Sequence, residues 1–186
     1  MVRRVGSALA RVEGALTTIA AALLFIIMIL VVADVFMRYA AGRPFSFTYD
    51  LVGLYLMTGV FYLVLSHAQA AHAHVAVDIL LARFSMPARR LADMASCLAG
   101  GSVFALITAA GYQRALDNYL SDDVLAGAIP WPTWASAALV PIGAGLLVLR
   151  LAATFVGHVA SLATGRDLVG VPPLSTAELA EGGTFE

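Results

Sequence analysis

ALTTIAAALLFIIMILVVADV, residues 15–35, is the stretch whose reading decides the fold. From Ala15 to Ala33 it carries no ionisable side chain. At about 1.5 Å of rise per residue it is roughly 30 Å long, the thickness of a bilayer's hydrocarbon core. No water there can satisfy backbone N–H and C=O groups, so a segment that crosses must bond to itself as a helix. Three further runs repeat the pattern: Tyr49 to Ala71, Leu91 to Tyr112 and Trp134 to Val156. The chain therefore reads as an all-α integral membrane protein with four transmembrane helices.

Arg3, Arg4 and Arg11 precede the first run, as basic residues precede a secretory signal. That run is too long for a signal core, no small-x-small cleavage site follows, and Asp34 and Arg38 come next. It is read as an uncleaved first span.

Composition agrees. Hydrophobic residues make up 61% of the 186, and charged residues only 12%, about half the share in soluble domains. The formal net charge of −1 gives no electrostatic basis for nucleic-acid binding. All 11 basic residues are arginine. Cys97 is the only cysteine, which excludes an internal disulfide; lying inside an apolar run, it reads as a buried structural thiol.

The arginines set an orientation. Eight lie on the side of the two termini and of the loop between spans two and three (Arg3, Arg4, Arg11, Arg83, Arg89, Arg90, Arg150, Arg166). Three lie opposite (Arg38, Arg43, Arg114), so the positive-inside rule predicts cytoplasmic termini. Trp131 and Trp134 fit an aromatic anchor at the outer interface. Residues 1–165 form the transmembrane domain in this reading, and 166–186, with its glycines and prolines, a flexible cytoplasmic tail.

The connections carry the polar candidates. Loop one holds the turn signal Gly42-Arg43-Pro44; Ser46 or Thr48 is placed to cap the second helix, with Asp50 in its first turn against the helix dipole. Loop two, with Val75, Val77, Ile79, Leu80, Leu81 and Phe84 beside Asp78 and Arg83, has the composition of an amphipathic interfacial helix ended by Pro87. Loop three carries Asp117, Asp122 and Asp123 and ends in Pro130-Trp131-Pro132; Asp122 and Asp123 are candidates for docking an outer partner.

Each candidate has a plain alternative. Asp34 and Arg38, four apart, share a helix face: an interfacial ion pair, or a fixed contact with a partner subunit. Asp50 lies at a helix start rather than at the bilayer centre, where coupling carboxylates gather, so capping outranks ion coupling. His74 and Asp78, also four apart, read equally as a hydrogen-bonded pair or as two solvated groups. His67, His72, His74 and His158 raise the possibility of haem, but all four fall near one interface and leave a second haem without ligands. No zinc-site spacing occurs, and the reading includes no cofactor, metal or catalytic residue. Pro141 should kink the fourth helix, and Arg150, about 24 Å along it from Trp134, is expected to snorkel to the interface without a partner. Gly101, Ala105 and Ala109 on the third helix, and Gly143 and Gly145 on the fourth, offer close helix approach.

The span centres are nearly bare of ionisable groups. A self-sufficient ion-coupled transporter or channel carries polar groups there, so the chain reads as a support for another protein's transport.

Several segments resemble the small membrane subunit of tripartite ATP-independent periplasmic (TRAP) transporters: Asp34-Val35-Phe36-Met37-Arg38-Tyr39 closing helix one, Pro44-Phe45-Ser46-Phe47-Thr48-Tyr49-Asp50 opening helix two, His74-Val75-Ala76-Val77-Asp78 after it, and Pro141-Ile142-Gly143 in helix four. The resemblance runs from Ala15 to about Val156. The family's usual Trp and Glu-Glu pair are replaced here by Phe47, Tyr49 and Asp50, so one carboxylate is retained. The resemblance implies a non-catalytic subunit of a bacterial inner-membrane, sodium-coupled uptake system for organic acids. Its implied partners are a separate large permease subunit, which holds the transport sites, a periplasmic binding protein, and membrane lipids. It implies contact roles for Asp34, Arg38, Ser46, Asp50, His74 and Asp78. The alternatives are a small dimeric exporter and a haem-bearing respiratory anchor.

Overall fold

The computed structural model describes residues 2–71, 86–126 and 129–164. The predicted interfacial helix, His72, His74, Asp78, Arg83 and the tail from 165 lie outside those residues. The described chain is helical, with four helices long and apolar enough to cross a membrane: α1 (Val2–Ala40), α2 (Thr48–Ala70), α3 (Met86–Leu120) and α4 (Thr133–Thr164). Among the described residues the extended structure is limited to one isolated bridge, Val124 to Pro132.

The helices outrun the apolar segments that predict them. At 39 residues α1 is about 58 Å long, nearly twice the hydrocarbon thickness. Hydropathy marks where lipid ends. Helix propensity and capping mark where helix ends; the sequence before Ala15 contains no proline, and its two glycines, Gly6 and Gly14, are carried within the helix. Pro87 occupies the first turn of α3, where its missing N–H leaves no helical bond unmade. α1 stops where Gly42 adopts φ +67°, a left-handed position that glycine takes without penalty.

α2 opens differently from expectation. Its cap residue is Phe47, and no side chain caps it. Ser46 and Thr48 are therefore not caps: Thr48 is buried, with its hydroxyl unpartnered, and the turn closes through backbone bonds from Thr48 N–H to Phe45 O (3.4 Å) and Leu51 N–H to Phe47 O (2.9 Å). Asp50 does lie in the first turn. From Leu51 to Leu56 the helix widens into a π turn before resuming α geometry.

The bundle is inside-out by soluble standards. Large apolar side chains face outward along the helices, with Phe25, Val32, Leu106 and Leu149 each more than half exposed. The compact interior joins Cys97 of α3 to Leu147 and Leu151 of α4, flanked by Leu65, Phe104 and Phe155. α4 is the hub, packing on α3 and α2, while α1 packs chiefly on α2.

Small residues decide how closely these helices approach. A Cβ on Gly143 would lie 2.1 Å from the carbonyl oxygen of Tyr62, so α4 meets the backbone of α2 at that point. A Cβ on Gly111 would lie 2.9 Å from Val140 Cγ1, which marks the α3–α4 crossing. Gly101, first of the predicted small-residue series, has open space beside it. Ala105 and Ala109 line a broad apolar groove of about 1020 Å³ between α3 and α4, together with Tyr112, Tyr119, Trp134 and Ile142.

Candidate functional site: polar pins at the two ends of the bundle

The span centres are nearly bare of ionisable groups, and the polar contacts gather toward the ends. At the end where α1 meets α2, Asp34 is 8% exposed and holds two partners. Its Oδ2 accepts from Arg38 Nη2 at 3.1 Å, the predicted pair one turn apart. Its Oδ1 accepts from the backbone N–H of Phe45 at 2.7 Å, across eleven residues of sequence. The carboxylate thus closes loop one, and the mostly exposed Arg38 side chain leaves a cation on the surface. Bonds of this kind, with one charged partner, contribute about 1.5–3 kcal/mol each.

Loop three is fastened at the same end. Helix α3 finishes with Asp122 in left-handed backbone, φ 48°, while Asp123 N–H donates to Asn118 O (3.0 Å) and Asp122 N–H to Tyr119 O (3.4 Å). That two-bond closure satisfies the last carbonyls of the helix, and Asp tolerates the left-handed position better than most residues. Asp123 also receives the Thr133 hydroxyl on its Oδ2 at 2.6 Å and the Thr133 N–H on its backbone oxygen at 3.1 Å. Both acids therefore shape the α3–α4 connection. The loop is then tied to α2: the Tyr55 hydroxyl donates to Pro132 O, and the Tyr55 and Trp131 rings lie 5.8 Å apart. Tyr55 projects from the π turn. Tyr119 of α3 and Trp134 of α4 stack edge to face at 5.6 Å.

The opposite end holds the feature that sequence reasoning missed. Glu13 is 1% exposed. Its Oε1 accepts from the Ser66 hydroxyl of α2 at 2.6 Å, and its Oε2 from Arg150 Nη1 of α4 at 3.2 Å. Arg150 is therefore not a snorkelling side chain without a partner but half of a partly buried ion pair between the first helix and the last. A second polar contact lies farther along α4: His158, fully buried, places Nε2 2.7 Å from Asp93 Oδ2 of α3. The approach lies off the ring N–H axis, so it is a close polar contact and not a linear hydrogen bond. Glu13 sits just outside the first apolar run and Asp93 two residues inside the start of the third, both at span ends where an acid is ordinarily solvated, so neither stands out in the sequence. The available signal was Arg150 itself, a cation inside a span with no acid one turn away.

His67 is exposed, and His158 is committed to Asp93. Cys97 is buried in the α3–α4 core. The described acids all lie at span ends.

A family model described as tripartite ATP-independent periplasmic transporters, DctQ component, matches residues 27–161. No curated protein and no solved structure matches the chain.

Proposed function

The chain belongs to the DctQ component family of tripartite ATP-independent periplasmic (TRAP) transporters, and on that premise we propose that this multi-pass membrane protein is the non-catalytic support for a large permease subunit that carries the transport sites. The observation that carries the proposal is the bareness of the span centres beside the firm anchoring of both ends. A subunit that moved an ion or an anion by itself needs polar groups near the midplane. This chain spends its buried polar groups on holding helices and loops to one another.

In the same reading the chain sits in a bacterial inner membrane with both termini cytoplasmic, and its partner couples sodium entry to uptake of organic acids delivered by a periplasmic binding protein. The arginine bias supports the orientation. Arg38, loop one and loop three then face the periplasm, with Asp50, Asp122 and Asp123 near the surface a binding protein would meet. Outward apolar faces on α1, α3 and α4 leave ample area for a large membrane partner and for lipid. Ser46, His74 and Asp78 remain candidate contacts with that partner.

Purification from native membranes in mild detergent tests the proposal. The expected result is a stable complex with one much larger polytopic chain. Recovery of a homo-oligomer alone would defeat it and would favour the dimeric exporter.

A further inference from the structure

Between Glu13 and Asp34, α1 packs through small and apolar groups: Ala20 is 1% exposed, and Leu23 Cδ1 stands where a Cβ on Gly59 of α2 would meet it at 2.9 Å. Its polar side chains there are Thr17 and Thr18, and both bond back to their own helix, at Glu13 O (2.8 Å) and Gly14 O (3.0 Å). Lipid tails are as apolar as leucine, so this packing orients the helix by fit and not by any hydrophobic preference for one face. The polar ends of α1 add the directional bonds that this packing lacks. Asp34 binds the loop that enters α2. Glu13, about 32 Å away along the axis, binds α2 through Ser66 and α4 through Arg150. At 100° per residue the two acids lie within about 60° of one another around the helix, both toward the bundle.

We infer that Glu13 and Arg150 are positioning residues of the transport assembly: their partly buried pair fixes α1 in rotation and depth against α4, so that Asp34 and the turn after it are held where the assembled transporter requires them. The pair neither binds nor moves the cargo. It adds directional bonds to the apolar packing and so makes one helix a fixed strut. The transport arm of this inference rests on the proposed function; the geometric arm does not.

Spin labels on α1 and α4 test it. Cysteines replacing Phe25 and Leu149, both outward-facing, are labelled in a Cys97→Ala background, with the full chain in nanodiscs. Pulsed dipolar spectroscopy reads the distance distribution, and the same variants without labels are assayed for uptake in the intact complex. The parent should give one narrow distribution. Glu13→Ala should broaden it at least twofold and cut uptake at least tenfold, while the large subunit still co-purifies. The exchange Glu13→Arg with Arg150→Glu should restore both, and Glu13→Gln, which keeps the Ser66 bond, should fall between. An unchanged distribution in Glu13→Ala would overturn the inference, as would lost uptake at unchanged width. Should no large subunit co-purify with the parent, the functional reading fails while the distance result still decides the geometric claim.

Discussion

Gly143 is where a single methyl group should do most harm. A Cβ there would stand 2.1 Å from the Tyr62 carbonyl oxygen, 2.5 Å from its carbon and 2.7 Å from the Tyr62 Cβ. Carbon–oxygen contacts across packed helices settle at about 3.3–3.6 Å, so the shortfall exceeds 1 Å. The obstacle is backbone in the middle of a helix, which cannot rotate aside as a side chain would. α2 and α4 must therefore separate by roughly 1 Å, and a gap of that size forfeits a quarter to a half of each dispersion contact along the crossing. Gly143→Ala is expected near the top of the usual overpacking range, about 3 kcal/mol, a fall in Tm of roughly 6–12 °C for a chain this size. Gly145→Ala is the control, two residues on. Its Cβ would meet Thr108 Cγ2 at 3.5 Å, an ordinary contact. Gly101→Ala meets nothing within 4 Å. Both should be neutral or gain up to about 1 kcal/mol of helix propensity. Thermal unfolding in detergent, followed by the fluorescence of Trp131 and Trp134, separates the three variants. Equal melting of Gly143→Ala and Gly145→Ala would refute the close crossing of α2 and α4.

Three further outcomes follow from the pins. Removing one member of a buried ion pair costs about 3–5 kcal/mol; Arg150→Met, which strands a carboxylate 1% exposed, should sit at the upper end, and Glu13→Gln at or below the lower, because the Arg150 side chain is 24% exposed and the Ser66 bond is kept. The double variant should recover much of the loss, and a double-mutant cycle on Tm checks the coupling. Asp34→Ala should free loop one, seen as faster amide exchange at Phe45, whereas Asp34→Asn keeps an acceptor for that N–H and should exchange more slowly. Tyr55→Phe removes the hydroxyl bond to Pro132 but leaves the ring on Trp131, so a loss of about 0.5–1.5 kcal/mol is expected in the same melt.

The four-helix fold was legible because the bilayer makes an unusually simple demand, a long enough apolar run that must be helical. The Asp34–Arg38 pair was legible for a related reason: four residues apart on one helix is local geometry. What the sequence hid was long-range. Nothing near Glu13 points to Arg150, 137 residues on, and nothing near Asp34 points to the Phe45 N–H. Gly143 and Gly145 looked alike as small residues, yet they face different neighbours because the helix turns about 200° between them. Asp122 and Asp123 looked like free surface charge; the left-handed closure of α3 and the Thr133 bonds give both a structural task that spacing alone could not reveal.

The central claim is that these four spans support transport without performing it. Reconstitution in proteoliposomes under an inward sodium gradient, with a panel of radiolabelled carboxylic acids, tests this most directly. The chain alone should accumulate nothing, and uptake should appear only when the large subunit and the binding protein are both supplied. Sodium-driven uptake by the chain alone would contradict the account.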